Sequence, residues 1–523
     1  MKKIFKFIAA SCLMASVLAS CTAKFEEYNT NPYGPTPEQM VGDGANVGSL
    51  IMNMQQVLVQ GQQNNSQMID HMIGSEYGGH IACIADWGNS GNFYTYNPRI
   101  GWVGVPFDTM LPQIYTNYFE ISKLTESKGA VYHWAQILRV FGSQLLNTMY
   151  GPIPYSQVTE GVMTVAYDTE EELYNAMFAD LDEAINGLTP IVASGEDTSI
   201  LGEYDYVYNG DFTKWIKFAN TLKLRMAMRI SNVAPQLAQA KAEEAVGHIF
   251  GTMASSGDVA WSTFNDGMNP YYRAEVEWNG GEIRLSANIA SYLGGYSDPR
   301  LAKYAKNATY GETTGVIAVR NGIYQNASSM SEYQKFSTTA IAQDSPLLVM
   351  SASEAYFLRA EGALKGWDMA GTAKTLYETG VAVSMEERSA SIGEYLSSEA
   401  VPADYEDPYN TNRNIAAVSN VTPKYDESAS AAENLERILV QKWIASFPNG
   451  WERWSDFRRT GYPKMFPVVS NQNTDGVSAE RGMRRLPYSQ NEYNTNPTNV
   501  AAAVASLGGQ DTGATDLWWA KKN

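Results

Sequence analysis

Residues 353–384 read SEAYFLRAEGALKGWDMAGTAKTLYETGVAVS, the pattern of two helices that pack against each other. Apolar and small residues recur at helical spacing in each half, and a turn lies between Gly366 and Gly371. The successive spacings from Gly362 to Ala373, Tyr377 and Gly380 are 11, 4 and 3 residues. This is one residue short of the pattern of tetratricopeptide hairpins, in which small residues let two helices approach and an aromatic ring fills the gap. The stretch predicts a helical hairpin.

The same periodicity predicts three more helices, over residues 134–149, 168–187 and 209–229. The first stops at the turn-forming sequence that begins with Gly151. In the second, Asp168 and Glu171 have the spacing of a capping box, and the apolar stripe ends before Gly187. The third starts from the Asn209-Gly210 turn. Several helical hairpins together favour a mainly α protein built as an α-solenoid.

Long stretches without helical periodicity separate these helices, at residues 74–110, 190–210, 254–283, 305–346 and 386–430. They are rich in Gly, Asn and Tyr. Loops of this length inside a compact domain are usually functional or disordered, and their aromatic content argues against disorder. We therefore expect the functional residues to lie in these loop-rich insertions.

The first twenty-one residues, MKKIFKFIAASCLMASVLASC, place three lysines before an apolar stretch and end in a small-residue cleavage site. The sequence Leu18-Ala19-Ser20-Cys21 resembles a lipobox, whose cysteine is diacylated in bacterial lipoproteins and tethers the chain. The alternative is an ordinary secretory signal in which Cys21 occurs by chance. We predict a lipoprotein signal peptide at 1–20, a lipidated N-terminal arm at 21–44 and a single helical domain at 45–523. Residues 22–27 resemble an export tag for the cell surface.

Charge and cysteine content exclude several classes of function. The chain has 38 Lys and Arg against 56 Asp and Glu, a net charge of −18. Loss of the three signal-peptide lysines makes the mature charge 35 minus 56, or −21. An acidic chain without basic clusters is not expected to bind nucleic acid. Cys12 lies in the signal and Cys21 is the presumed lipid site, so Cys83 has no intrachain partner and stability must come from core packing.

Nine motifs in order along the mature chain resemble one family, the SusD/RagB nutrient-binding outer-membrane lipoproteins. They are YNTNP at 28–32, YGPIPY at 150–155, the helix at 209–229, DPRL at 298–301, SEAYFLRAE at 353–361, WERWSDFRRTGYP at 451–463, RLPY at 485–488, EYNTNP at 492–497 and LWW at 517–519. The resemblance implies a scaffold of four tetratricopeptide-like hairpins with long insertions that form the ligand face. It also implies an outer-membrane location and no cofactor.

The resemblance further implies a partner and a role. The partner is a SusC-like TonB-dependent transporter, over which the lipoprotein sits as a lid. The lid captures an oligosaccharide, or in some members a peptide, and does not break bonds. Two alternatives stay open at this stage: the same lid binding oligopeptides, and a surface enzyme that processes polysaccharides. The motifs' charged residues are expected to pair inside the scaffold, namely Glu354, Arg359, Glu361, Arg453, Asp456 and Arg459.

Two loop segments combine aromatic rings with amide and guanidinium groups, which suits a neutral polyhydroxylated ligand. The first holds Trp87, Asn89, Asn92, Phe93, Tyr94, Tyr96, Asn97, Arg99 and Trp102, and the second Asn269, Tyr271, Tyr272, Arg273, Trp278 and Asn279. The alternative for each ring is that it anchors its loop to the core. We predict as ligand-binding residues Trp87, Asn92, Phe93, Tyr94, Tyr96, Trp102, Tyr271, Tyr272 and Trp278.

Metal and catalytic motifs are weak in this sequence. Asn471, Asn473 and Asp475 resemble the start of an EF-hand loop, but Gly482 stands where the bidentate Glu is required, so we expect a polar turn and no metal. The sequence has no His-Glu-x-x-His, paired Cys-x-x-Cys or nucleophile elbow. We predict no catalytic residue, although carboxylate pairs from distant segments would be invisible in sequence.

Overall fold

The computed structural model describes residues 44–85, 87, 92–162, 164–196, 198–263, 267–323 and 327–521. The predicted signal peptide, Cys21, the arm up to residue 43 and Asn89 lie outside the described residues. Contacts between Cα atoms divide the chain into two units, residues 1–48 and 49–523. Within the described ranges, every helix is too short or too polar to cross a lipid bilayer.

Helices dominate the described residues and are numbered in chain order. They are α1 (Ala45–Met54), α2 (Gln63–Ser66), a π-helix (Gln67–Ser75), α3 (Ile100–Val103), α4 (Val105–Leu124), α5 (Gly129–Tyr150), α6 (Glu170–Ser194), α7 (Phe212–Arg229), α8 (Pro235–Gly247), α9 (Pro270–Val276), α10 (Ala287–Gly295), α11 (Leu301–Tyr304), α12 (Ala327–Tyr333), α13 (Ser353–Leu364), α14 (Ala373–Glu387), α15 (Ala431–Ala445), α16 (Trp451–Thr460), α17 (Gln490–Thr495) and α18 (Pro497–Leu507).

The described residues also form short strands, which are β1 (Ile81–Cys83), β2 (Ala260–Ser262), β3 (Ile283–Leu285), β4 (Ala308–Tyr310), β5 (Thr313–Gly315) and β6 (Leu347–Met350). They pair as three separate two-stranded antiparallel sheets, β1 with β3, β2 with β6 and β4 with β5. Four of these strands, β1, β2, β4 and β5, lie in the stretches that lack helical periodicity, while β3 begins at the last residue of one stretch and β6 directly follows another. The loop-rich insertions are therefore held together by small sheets and short helices.

The long helices form the predicted scaffold of hairpins. α4 packs against α5, α5 against α6, α7 against α8, and α13 against α14. In the last pair, a Cβ atom at Gly380 would lie 2.8 Å from the ring of Phe357, so a small residue is required where these two helices meet. α13 also packs against α7 and α15, so the α13–α14 hairpin contacts the α7–α8 hairpin. The mainly α architecture of tetratricopeptide-like hairpins is confirmed.

The predicted N-terminus of α6 is wrong by one residue. The capping box is formed by Thr169, whose hydroxyl accepts a hydrogen bond from Glu172 N–H at 3.3 Å, while the Glu172 carboxylate accepts from Thr169 N–H at 3.0 Å. Asp168 is used elsewhere, because its Oδ2 accepts the backbone N–H groups of Tyr155 and Ser156, each at 2.9 Å. The acidic residue thus fixes the loop before the helix.

The predicted C-terminus of α6 is also wrong. The helix continues past Gly187 to Ser194 and ends at Gly195, which adopts the left-handed conformation with φ of 71°. Gly187 has a packing role instead. A Cβ atom there would lie 2.1 Å from Nε2 of His133 on α5, so the glycine allows the two helices to approach.

Four of the six charged residues expected to pair inside the scaffold do so, namely Glu354, Glu361, Asp456 and Arg459. Arg225 donates to Glu354 at 2.7 Å, and Arg459 donates to Glu361 at 2.5 Å. All four of these side chains are buried, so their ion pairs must offset the cost of removing charge from water.

The expectation is wrong for Arg359 and Arg453, which donate to backbone carbonyl oxygens rather than to carboxylates. Arg359 Nε donates to Met369 O at 3.0 Å, and Arg453 Nη1 donates to Tyr77 O at 3.0 Å. Arg453 also donates to Pro463 O at 2.6 Å. The two arginine side chains therefore hold other segments of the chain to α13 and α16.

Candidate functional site

The two predicted clusters meet because a short β-ribbon joins their segments. β1 pairs with β3 so that Cys83 lies opposite Ile283. Ile84 N–H donates to Glu282 O at 2.8 Å, which continues the pairing beyond the strands. Trp87 follows β1 and Trp278 precedes β3, so both segments leave the same end of the ribbon. Antiparallel pairing thus brings together residues that are about two hundred positions apart in sequence.

The Glu282 carboxylate holds the two segments to each other. It accepts hydrogen bonds from the side-chain amides of Gln67 and Asn279 and from the indole of Trp87. Burial raises the pKa of Glu282, and these three hydrogen bonds act in the opposite direction. One acidic side chain therefore orients a tryptophan from the first cluster and an asparagine from the second.

The turn that carries Trp278 is also fixed from its other side. Asn279 has φ of 50°, a left-handed conformation that asparagine tolerates better than most residues. Gln334 Nε2 donates to Asn279 O at 2.7 Å and to Gly281 O at 3.2 Å. Hydrogen bonds to Asn279 and Gly281 thus fix the turn directly after Trp278.

Trp87, Trp102 and Trp278 are half-buried, and we call these three residues together the tryptophan surface. The rings of Trp87 and Trp102 meet edge to face, with centroids 6.3 Å apart. The exposed Arg99 lies with its guanidinium carbon 4.7 Å from the Trp102 ring centroid and donates to Trp87 O at 3.2 Å. Partly exposed indoles beside guanidinium, amide and carboxylate groups suit a flat ligand with both C–H faces and hydroxyl groups.

The other predicted residues of the first cluster, Asn92, Phe93, Tyr94 and Tyr96, are buried. The Tyr94 hydroxyl donates to Ala85 O at 2.9 Å, and its ring centroid lies 6.1 Å from that of Trp87. The Asn92 side-chain oxygen accepts from Trp87 N–H at 3.4 Å. These side chains support the segment that carries Trp87, and their direct contact with a ligand stays a prediction.

In the second cluster, Tyr271 and Tyr272 lie on α9. The Asn269 side chain caps this helix by accepting from Tyr271 N–H at 2.9 Å. Tyr271 is buried, its hydroxyl lies 2.7 Å from Ser75 Oγ and its ring contacts His71, whereas Tyr272 is half-buried. Tyr271 therefore anchors α9 to the π-helix, and Tyr272 is left with a face toward the surface.

Sequence reasoning missed Glu282 and Gln67. Gln67 lies 215 residues before its partner Glu282. It stands in a polar stretch that does not differ in pattern from other helix N-termini. Glu282 follows two glycines and precedes a strand of three residues, too short for a period-2 pattern. The one sequence feature that pointed to this region is the Gly280-Gly281 pair before Glu282, which indicates a turn.

A cleft of about 360 Å³ is lined in part by residues from the segment that holds the first cluster. Asn97 and Ile100 line it on one side, together with Asp475, Tyr493 and Asp511 from the C-terminal part of the chain. Ile100 is 74% exposed. The volume falls in the range of pockets that hold small ligands.

The segment that resembles an EF-hand is a polar turn. Its side-chain oxygens serve the backbone, since Asn473 Oδ1 accepts from Asp475 N–H at 2.8 Å and from Val477 N–H at 3.0 Å. In the part of the chain that the structure describes, no group of three or more His, Cys, Asp or Glu side chains could hold a metal ion.

Burial lowers the pKa of His71 and of His80 to about 3, so both rings are neutral at pH 7.

The chain is similar to a known protein family and to several solved structures. A family model described as SusD-like, SusD and RagB outer membrane lipoprotein, matches residues 27–520. A SusD-like protein from Bacteroides thetaiotaomicron VPI-5482 is 41% identical, with a TM-score of 0.87 over 91% of this chain and 99% of that chain. A chitin-binding SusD homolog from Flavobacterium johnsoniae is 36% identical, with a TM-score of 0.86 over 91% and 99%. The curated proteins contain no match to this sequence.

Proposed function

Because the chain belongs to the SusD-like family of outer-membrane lipoproteins, we propose that it captures glycans at the cell surface. It then delivers them to a SusC-like TonB-dependent transporter, while a lipid on Cys21 holds it to the outer membrane. The chain acts as a receptor and does not cleave its ligand. Family membership and the geometry of the site together support this role.

The tryptophan surface is the observation that carries the proposal. Sugar rings present C–H groups on their faces, which pack on indole rings, and hydroxyl groups at their edges, which need hydrogen-bond partners. Around the three tryptophans, Arg99 supplies donors, Asn279 an amide and Glu282 a carboxylate. Both kinds of contact are therefore available along one surface.

The Flavobacterium johnsoniae homolog supports a glycan as the ligand class, since it is described as chitin-binding and is 36% identical over nearly its full length. Chitin is a neutral polymer of aminosugars, and the proposed contacts at the tryptophan surface need no charge on the ligand. We therefore propose neutral oligosaccharides as the first class to test.

The test is calorimetric titration of residues 22–523, the mature chain without its lipid-bearing Cys21, with chitooligosaccharides and a panel of other neutral glycans. Trp278→Ala is expected to weaken binding by about 1–3 kcal/mol, the range for an aromatic anchor at a binding surface. Trp367→Ala is the matched control, because Trp367 is also half-buried but lies between α13 and α14. Equal binding by the parent and Trp278→Ala would place the ligand elsewhere.

Two further measurements test the alternatives. If oligopeptides raise the melting temperature and glycans do not, the lid handles peptides. If incubation of a glycan with the mature chain yields shorter products by mass spectrometry, the protein is a processing enzyme. We expect unchanged glycan length and no shift with peptides.

A further inference from the structure

Three side chains donate hydrogen bonds to the carboxylate of Glu282, a buried residue. The amide of Gln67 on the π-helix donates at 2.5 Å, and the amide of Asn279 and the indole of Trp87 also donate. The backbone of Glu282 is fixed as well, because its N–H donates to Ala274 O at 2.7 Å. The carboxylate therefore stands in a fixed place as the acceptor that three donors share.

This arrangement suits an ionised carboxylate and not a protonated one. An ionised carboxylate offers about four acceptor sites and no donor, whereas a protonated one carries a hydrogen on one oxygen. That hydrogen meets the N–H groups that already point at Glu282. Hydrogen bonds to an ionised group are also about twice as strong as bonds between neutral groups. Protonation of Glu282 therefore weakens the contacts that it makes with Gln67, Asn279 and Trp87.

The charge of Glu282 is held by these N–H groups and not by a cation. In the described parts of the chain, Arg273 of α9 pairs with Glu277 at 3.3 Å, and Arg284 of β3 donates to Gln334 O at 2.6 Å. Burial raises the pKa of Glu282, so it takes up a proton at a higher pH than an exposed glutamate does. The other titratable groups on the neighbouring elements are bonded elsewhere or neutral at pH 7, namely Asp70, which accepts from the Trp451 indole, Glu275, which accepts from Thr339, His71, and the Cys83 thiol, whose pKa burial raises.

The ring contacts of Trp87 are less directional than its bond to Glu282. Its ring centroid lies 6.1 Å from that of Tyr94 and 6.3 Å from that of Trp102. Ring contacts of this kind allow a range of orientations, whereas a hydrogen bond weakens steeply when its angle changes. A side chain that is held in its binding orientation before the ligand arrives loses less entropy on binding. The bond to Glu282 is therefore the contact that prepares the Trp87 ring for a ligand.

We propose that Glu282 is a positioning residue for glycan capture, and that capture weakens when its carboxylate is protonated. The ionised carboxylate holds Trp87 and the turn after Trp278 in the orientation that accepts a sugar ring. This inference rests on the proposed function, because it requires that the tryptophan surface binds the glycan. The protein then binds its glycan more tightly at neutral than at acidic pH.

The test is calorimetric titration of residues 22–523 at pH 7.5 and at pH 5.5, with the neutral oligosaccharide that binds most tightly. Because this ligand does not titrate, a change in affinity with pH belongs to the protein. Glu282→Gln replaces one acceptor oxygen with a donor, so one of the three N–H groups loses its acceptor. We expect about tenfold weaker binding by this variant at pH 7.5, equivalent to one hydrogen bond to a charged group that acts through the orientation of the ring.

The parent should bind at least about twofold more weakly at pH 5.5 than at pH 7.5, and Glu282→Gln should bind equally at both. Glu277→Gln is the matched control, because Glu277 directly precedes Trp278 but pairs with Arg273 instead. It should keep the affinity and the pH dependence of the parent. Parental affinity in Glu282→Gln, or the same pH dependence in that variant as in the parent, would overturn the proposal.

A measurement without ligand separates this proposal from the proposed function. In protein labelled with fluorotryptophan, the fluorine resonance that is missing from Trp87→Phe identifies Trp87. It should shift between pH 7.5 and pH 5.5 in the parent and stay in place in Glu282→Gln. A resonance that does not move in the parent would overturn the positioning role. Failure of the parent to bind any neutral glycan would refute the proposed function, whereas a Trp87 resonance that still follows Glu282 would support the positioning role.

Gln67→Ala decides the question if Glu282→Gln does not fold. It removes one donor and leaves the carboxylate, and losing a hydrogen bond to the charged form raises the pKa of a carboxyl group. The Trp87 resonance and the glycan affinity should therefore change at a higher pH than in the parent. Titration at the parental pH in Gln67→Ala would contradict the proposal.

Discussion

Replacing Glu452 with glutamine is expected to destabilise the scaffold strongly. Both carboxylate oxygens of Glu452 accept from Nη2 of Arg229 at 2.8 Å. Arg225 and Lys442 lie 3.7 and 3.6 Å from the same carboxylate. The Glu452 side chain is only 9% exposed, and these cations hold its pKa well below the usual range against the effect of burial. One buried carboxylate therefore faces three buried cations.

The loss of stability in Glu452→Gln depends on which of the three cations still has a carboxylate partner. Arg225 retains Glu354, and Lys442 retains Asp456. Among the residues that the structure describes, Arg229 retains no carboxylate partner; it keeps the Thr148 hydroxyl, to which Nη1 donates at 3.0 Å, and the Trp519 ring, whose centroid lies 4.8 Å from its guanidinium carbon. Removing one partner of a buried pair costs about 3–5 kcal/mol. Glutamine keeps the shape and one acceptor oxygen, so we expect about 3 kcal/mol, a large fraction of the roughly 5–15 kcal/mol that stabilises a folded domain.

The assay is urea denaturation at pH 7, followed by tryptophan fluorescence and circular dichroism, with the midpoint compared at unchanged slope. The control is Glu399→Gln, because Glu399 pairs with Lys424 at the surface, where the two side chains are 75% and 49% exposed. That change should cost less than about 1 kcal/mol. A Glu452→Gln midpoint indistinguishable from the parent would show that the carboxylate does not compensate these cations.

Three further changes test the packing and the pH response. Burial raises the pKa to about 6 or 7 for five carboxyl groups, those of Asp70, Glu76, Glu170, Glu275 and Glu387. Their pKa values are higher in the folded than in the unfolded protein, so their stabilising contribution is complete below about pH 4 and is lost as pH rises through 7. The urea midpoint should therefore be higher at pH 5.5 than at pH 8. Glu76→Gln removes one of these carboxyl groups and should reduce the difference between the two midpoints. Gly380→Val should cost about 1–3 kcal/mol because of the contact with Phe357, whereas Gly247→Ala, with open space at its Cβ position, should not destabilise. Thr169→Ala removes the α6 cap and should lower stability by about 1 kcal/mol in the same assay, with no change in glycan binding.

The helical scaffold was predictable because its determinants are local. The spacing of Gly362, Ala373, Tyr377 and Gly380 predicts a hairpin, and the structure places α13 against α14 with Gly380 at the contact. Helix ends were less predictable. Asp168 has the right chemistry for a cap, but its carboxylate is satisfied by loop N–H groups, so the adjacent Thr169 caps α6.

The site was predictable only in composition. The aromatic and amide residues of both segments are visible in sequence, but their meeting depends on the β1–β3 pairing of strands of three residues each. Glu282 links the two segments, and its partner Gln67 lies 215 positions away in sequence, so local patterns do not reveal this contact. Which rings face outward also depended on tertiary packing, since Tyr94 is buried while Trp87 is half-buried.

The most direct test of glycan capture is a crystal structure of the mature chain with the oligosaccharide that binds most tightly in the titrations. We expect a sugar ring in contact with at least one of Trp87, Trp102 and Trp278, with carbon atoms within about 4.5 Å of an indole face. We also expect an intact glycan with hydrogen bonds to neighbouring polar groups such as Arg99 or Asn279. Glycan density on another face of the molecule, with all three indoles uncovered, would contradict it.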